Sequence, residues 1–163
     1  MRLLIAAIAL ATAAACSPAG TEVAETNDLT ITQDASINPV IAYKDAFIME
    51  PIGGRDMTMG GVTIDVSAAD TKLVAASSPS IGAIELHTMA MIDGKMTMRQ
   101  VEGFEVKSGE QLELKRGGNH FMMFDVGTDV VGGETVDITL EFDTGAEETL
   151  KIVVPAEVRV VGE

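Results

Sequence analysis

Short alternating segments separated by turn residues predict an all-β fold, an antiparallel sandwich or barrel. Apolar and polar residues alternate in candidate strands at 29–32, 62–66, 72–76, 83–90, 95–101, 111–115, 120–126, 135–142 and 149–154. Gly, Asp, Asn and Ser fill the gaps between them, as turns require. After residue 28 no run has the length and period of a convincing helix. A length of 163 residues suits one domain with a real core.

The stretch 38–59 contains Pro39, Pro51, Gly53 and Gly54 and is expected to be mostly loop. The hairpin around Asp93-Gly94 can be worked out more closely. Asp-Gly between two alternating runs signals a two-residue type I′ turn. Ile92 then pairs with Lys95, Met91 with Met96, and Met89 with Met98. Side chains alternate along a strand, so His87, Met89 and Met91 share a face with Met96 and Met98. His87 falls diagonal to Met98. Farther on, His120 and Met122 share one face of their strand, while Phe121 and Met123 point to the core.

Composition narrows the function. The formal net charge is −14, with 11 Lys and Arg against 25 Asp and Glu. Such a chain is a poor partner for nucleic acid, whose phosphates are bound through basic residues. Basic-patch docking on anionic lipid is disfavoured for the same reason. The acids lie mostly on alternating strands and turns, as a solvated face would place them. Cys16 is the single cysteine, so an intramolecular disulfide, a CxxC pair and a cysteine-rich zinc site are all excluded. Trp is absent and Tyr occurs once, which leaves no aromatic platform for stacking bases or sugars. Methionine is abundant, with ten copies beside two histidines.

Residues 1–16 read MRLLIAAIALATAAAC. Arg2 and an apolar run of 13 residues match a signal-peptide h-region, and fall short of a membrane span. Small residues leading to Cys16 resemble a bacterial lipoprotein signal, in which that cysteine is lipidated. Ala13 departs from the Leu usual in such a signal, and ordinary cleavage after Ala-x-Ala is the alternative. Residues 17–27 read as a flexible tether, and 28–163 as the β-domain. The expected location is the periplasm or cell envelope, with any membrane contact made through the lipid.

Both histidines lie in methionine-rich segments. Imidazole and thioether are copper ligands, and thioether softness favours Cu(I). Two His and two Met bring no charged ligand to a monovalent ion. Without thiolate the ion is held less tightly, which suits a carrier. His87, Met98, His120 and Met122 are separated by ten, twenty-one and one residues. That spacing resembles the H-x10-M-x21-H-x-M motif of the PCuAC family of periplasmic copper chaperones. The run ELHTMAMIDGKMTMRQVEGFEVKSGEQLELKRGGNHFMMFDV is similar to that family too.

The resemblance implies a cupredoxin-like β-sandwich with Cu(I) held by His87, Met98, His120 and Met122. Met89 is expected as a reserve sulfur or a supporting neighbour. The implied acceptor is the copper-A subunit of cytochrome oxidase or a thioredoxin-like copper protein, and the chaperone is expected as a monomer. Met57 and Met59 lie outside the motif, either flanking the metal or filling core gaps.

Several other readings carry less. Methionine in strands is often core filler, and Met91, Met96 and Met123 are expected in the core or at its rim. No GxSxG, HExxH, P-loop or GxGxxG motif is present, so the chain is not expected to be an enzyme. A zinc hydrolase would need Glu85 as a third ligand and would leave the thioethers unexplained. A blue-copper site needs a thiolate, and Cys16 belongs to the leader. Copper sequestration without a dedicated acceptor would use the same four residues. A metal-free structural domain would use none of them.

Overall fold

A computed structural model describes residues 39–160. The leader 1–16 with Cys16, the tether 17–27 and the candidate strand 29–32 lie outside the described residues. Among the described residues ten strands follow one another: β1 (Val40–Met49), β2 (Met57–Ser67), β3 (Thr71–Ser77), β4 (Ile81–Ile92), β5 (Lys95–Gln100), β6 (Phe104–Val106), β7 (Gln111–Glu113), β8 (His120–Val126), β9 (Thr135–Asp143) and β10 (Leu150–Arg159). One short 3₁₀ turn, Ile52–Gly54, joins β1 to β2. The all-β expectation holds.

The strands form one continuous ladder in the order β5-β4-β8-β2-β1-β10-β9-β3-β6, with β7 also paired to β2. Every pairing is antiparallel except β1 with β10. A tight turn closed by the Ser78–Ile81 bridge carries β3 into β4, linking the far part of the ladder to the near part. Alternation then buries one face of each strand. Val136, Ile138, Leu140 and Phe142 of β9 point inward beside Ile152, Val154, Ala156 and Val158 of β10. These join Ile64, Leu73, Leu86 and Phe121 in a single cluster fed by every strand but β5. Each fully buried aliphatic or aromatic side chain contributes about 1.5–3 kcal/mol by leaving water.

The stretch 38–59 corrects the sequence reading. It holds the long central strand β1 and the start of β2, with only the segment between them irregular. The signal was hidden because the alternation breaks. Ile41 and Tyr43 are buried in one phase and Ile48 in the other. A bulge between Lys44 and Phe47, with Asp45 at φ 53°, shifts the register by one residue. β2 was similarly foreshortened by Gly60 and Gly61. Both glycines are needed: a Cβ on Gly60 would lie 2.7 Å from the Phe47 carbonyl oxygen, and one on Gly61 would overlap the Leu114 carbonyl. There β2 leaves its partner β8 and takes up β7. The short strand β6 was also unforeseen.

On the outer face, Asp65 of β2 accepts hydrogen bonds from Gln111 of β7 at 2.5 Å and Lys44 of β1 at 3.0 Å. The Gln111 bond, then the Lys44 bond and charge, hold its carboxyl below the usual range.

Candidate metal centre

The Asp93-Gly94 turn forms as expected. Its two residues have φ of 49° and 76°, the paired positive values of a type I′ turn. Ile92 faces Lys95, Met91 faces Met96, and Met89 faces Met98. β8 flanks β4 on the other side, where His87 faces His120 and Glu85 faces Met122. Directly paired residues share a face. Glu85, His87, Met89, Met98, His120 and Met122 are therefore brought to one face across three adjacent strands.

The odd-even logic of β8 holds as well. Phe121 and Met123 are fully buried on the inner face. The core thus clamps β8 from behind while His120 and Met122 project outward. The loop before β8 is pinned by Lys115 N–H to the Asn119 carbonyl, and by Thr88 Oγ1 donating to Asn119 Oδ1 at 2.8 Å.

The two imidazoles are buried, His87 at 8% exposure and His120 at 5%. Their ring centroids lie 5.8 Å apart, tilted by 50°. Hydrogen bonding decides where the lone pairs sit. His120 Nδ1 lies 2.9 Å from the Gly118 carbonyl, which can only accept. The neutral ring therefore carries its proton on Nδ1, and Nε2 is bare. That bare nitrogen is 3.2 Å from Met98 Sδ. Two lone-pair donors at this distance can bind one ion, since metal–nitrogen and metal–sulfur bonds run about 2.0–2.3 Å.

His87 is fixed by a carboxylate instead. Its Nε2 donates to Glu85 Oε2 at 2.8 Å. In the neutral ring Nδ1 is then left bare, and this atom is buried without a hydrogen-bond partner among the described residues. An unsatisfied buried acceptor costs about 1–3 kcal/mol. Such a cost is accounted for when the atom is a ligand position, and carboxylates orient metal-binding histidines in this way.

Met98 is 47% exposed on the edge strand β5, and Met122 is half-buried. Met89 is half-buried opposite Met98, beside the pair rather than between the histidines. Sequence reasoning considered Glu85 only as a zinc ligand. Its nearness to His87 follows from their i, i+2 spacing on one strand face, a visible signal. Among the described residues no three His, Cys, Asp or Glu side chains converge as a metal site. Met59 of β2 pairs with Met122, which puts a further thioether on this face. The start of β2 reads as loop in the sequence, which hides this placement. Met57 pairs with Phe124 and is farther from the histidines. Of the methionines expected in the core or at its rim, Met123 is fully buried and Met91 and Met96 are exposed.

Comparison with known proteins bears on the family and the fold. The family model LpqE-like, described as "Putative lipoprotein LpqE-like", matches residues 41–154. "Putative lipoprotein Lxx21020" of Leifsonia xyli subsp. xyli is 29% identical over 106 residues, covering 64% of this chain and 63% of the relative. "Uncharacterized protein RP573" of Rickettsia prowazekii is 29% identical over 82 residues, covering 50% of this chain and 45% of the relative. The chain thus spans about half to two thirds of the length of these relatives.

Among solved structures, the copper-bound PCuAC domain from PmoF2 superimposes with a TM-score of 0.60 at 16% identity, over 74% of this chain and 92% of that one. The solution structure of CuI-DR1885 from Deinococcus radiodurans gives a TM-score of 0.52 at 26% identity, over 72% and 77%. The chain belongs to the LpqE-like family, and its β-domain shares the fold of the PCuAC domains.

Proposed function

We propose that this protein is a non-enzymatic Cu(I) metallochaperone of the cell envelope. Cu(I) is its cargo, held by His87, Met98, His120 and Met122. The observation that carries this reading is the bare His120 Nε2 facing Met98 Sδ at 3.2 Å, beside a second buried imidazole whose Nδ1 has no partner among the described residues. Two neutral nitrogens and two thioethers suit a soft monovalent ion. The copper-bound PCuAC domain from PmoF2 and CuI-DR1885 support the choice of metal.

Release follows from the exposure of the site. His87 and His120 are buried, whereas Met98 lies half-open on an edge strand. An incoming acceptor ligand displaces the Met98 sulfur first, and the remaining ligands follow one at a time. The acceptor proposed is the copper-A subunit of cytochrome oxidase or a thioredoxin-like copper protein. Cys16 is proposed as the lipid anchor that keeps the chain, as a monomer, at the periplasmic membrane face. The lipoprotein relative supports that placement.

The test is transfer. The purified protein is loaded with Cu(I) and mixed with the apo copper-A subunit under reducing, anaerobic conditions. Copper-A absorbance after reoxidation reports delivery. Transfer faster than from a small-molecule Cu(I) complex supports a chaperone. Retention of the ion favours sequestration.

A further inference from the structure

The hairpin of β4 and β5 extends past the core. Pairing of β4 with β8 ends at His87, and beyond it β4 is paired, among the described residues, with β5 alone. All six residues of β5 are exposed. On this ribbon Met91 is 65% exposed and Met96 55%, so neither fills a core gap. They are a direct cross-strand pair at the tip, whose Cβ atoms stand about 4.5–5.5 Å apart. Two long, flexible thioether arms from that spacing close readily on one ion.

The charges are sorted by face. Lys95 pairs with Ile92 and Arg99 with Thr88, which puts both cations on the face opposite the sulfurs. Met91, Met96, Met89 and Met98 therefore make an uninterrupted thioether face with no cation of the hairpin directed onto it. Met98 is diagonal both to Met91 and to His87, and its sulfur already meets His120. One residue thus lies within reach of the tip pair and of the histidine pair.

We propose that Met91 and Met96 form a second, weaker site for a soft monovalent cation, Cu(I), and that the ion passes between it and the histidine centre through Met98. This rests on the copper reading above. The ion stays Cu(I) throughout: a bond to Met98 sulfur forms as one tip copper–sulfur bond breaks, and a bond to an imidazole nitrogen forms as the second breaks. Without a nitrogen donor the tip site binds more weakly, which gives the direction of loading: capture at the exposed tip, retention at the histidines.

The test is an anaerobic Cu(I) titration of the purified chain labelled with ¹³C-methyl methionine, with each methyl resonance assigned by Met→Leu substitution. The first equivalent should shift Met98 and Met122, and the second Met91 and Met96. The exposed double variant Met91→Leu/Met96→Leu should lose the second equivalent and keep the first. If Met91 and Met96 stay still through the second equivalent while Met98 and Met122 move, the tip site is refuted and the chaperone reading stands. If no methyl moves, the copper reading fails and the tip site fails with it.

Discussion

Glu85 offers the sharpest perturbation of the metal centre that leaves the proposed ligands untouched. Its carboxylate accepts from His87 Nε2 at 2.8 Å, and its side chain is 35% exposed. The carboxylate does two things: it selects the His87 tautomer with Nδ1 bare, and it places a negative charge near the incoming cation. Replacing such an outer partner of a metal-binding histidine typically costs 10–100-fold in affinity, or about 1.4–2.8 kcal/mol. Glu85→Gln keeps an oxygen that accepts from Nε2 but removes the charge, which solvent already screens in part. A loss near the lower end, about tenfold, is expected. Glu85→Ala frees the tautomer as well, so about 100-fold is expected. Competition against a colorimetric Cu(I) chelator measures both. Denaturant midpoints control for folding, and should move little because a part-exposed side chain is being changed. Nitrogen-15 shifts of the two imidazoles add a readout that a structural role would not move: metal-bound Nδ1 in His87 and Nε2 in His120. Wild-type affinity in Glu85→Ala would refute the orienting role.

Removing both imidazoles should remove the ion: His87→Ala with His120→Ala takes both nitrogen donors from the set, and a double variant that competes for Cu(I) as the wild type does would remove the histidines from it. Fold stability has an acid limb. The folded pKa of Asp65 is lowered, so its contribution is present above the ordinary carboxylate range near ~3.9 and is lost as pH falls through the depressed folded value. Asp65→Asn should flatten that limb in urea unfolding followed against pH. Phe121 is fully buried directly behind the face carrying His120. Phe121→Ala should cost about 3–5 kcal/mol by denaturant unfolding, and a loss under about 1 kcal/mol would contradict the packing described.

Much of the fold was legible wherever alternation ran unbroken. The reading of β8 matches its observed limits and that of β9 stops one residue short, because period-two burial is written directly into them, whereas 149–154 covers only the first half of β10, which runs on past Pro155 to Arg159. The turn at Asp93-Gly94 set the register of β4 and β5 and thereby the diagonal of His87 and Met98. What stayed hidden has local causes. The bulge after Lys44 inverts the phase of β1, and Gly60 and Gly61 interrupt β2 with residues that read as turn. Both missed segments lie in the middle of the ladder, so the neighbourhood of Met122 was incomplete without them. Strand pairing over long separations was also beyond a local pattern. Placing β8 between β4 and β2, which sets His120 against His87 and Met59 against Met122, is a tertiary fact. Which histidine nitrogen is bare likewise depends on Gly118 and Glu85 geometry.

The most direct test of the central claim is a Cu(I) competition titration of the purified protein beside Met98→Ala and Met122→Ala. One tightly held Cu(I) per chain, lost or much weakened in each variant, is the predicted result. No competition for Cu(I), or variants that bind as the wild type does, would contradict the assignment of His87, Met98, His120 and Met122 as a copper centre.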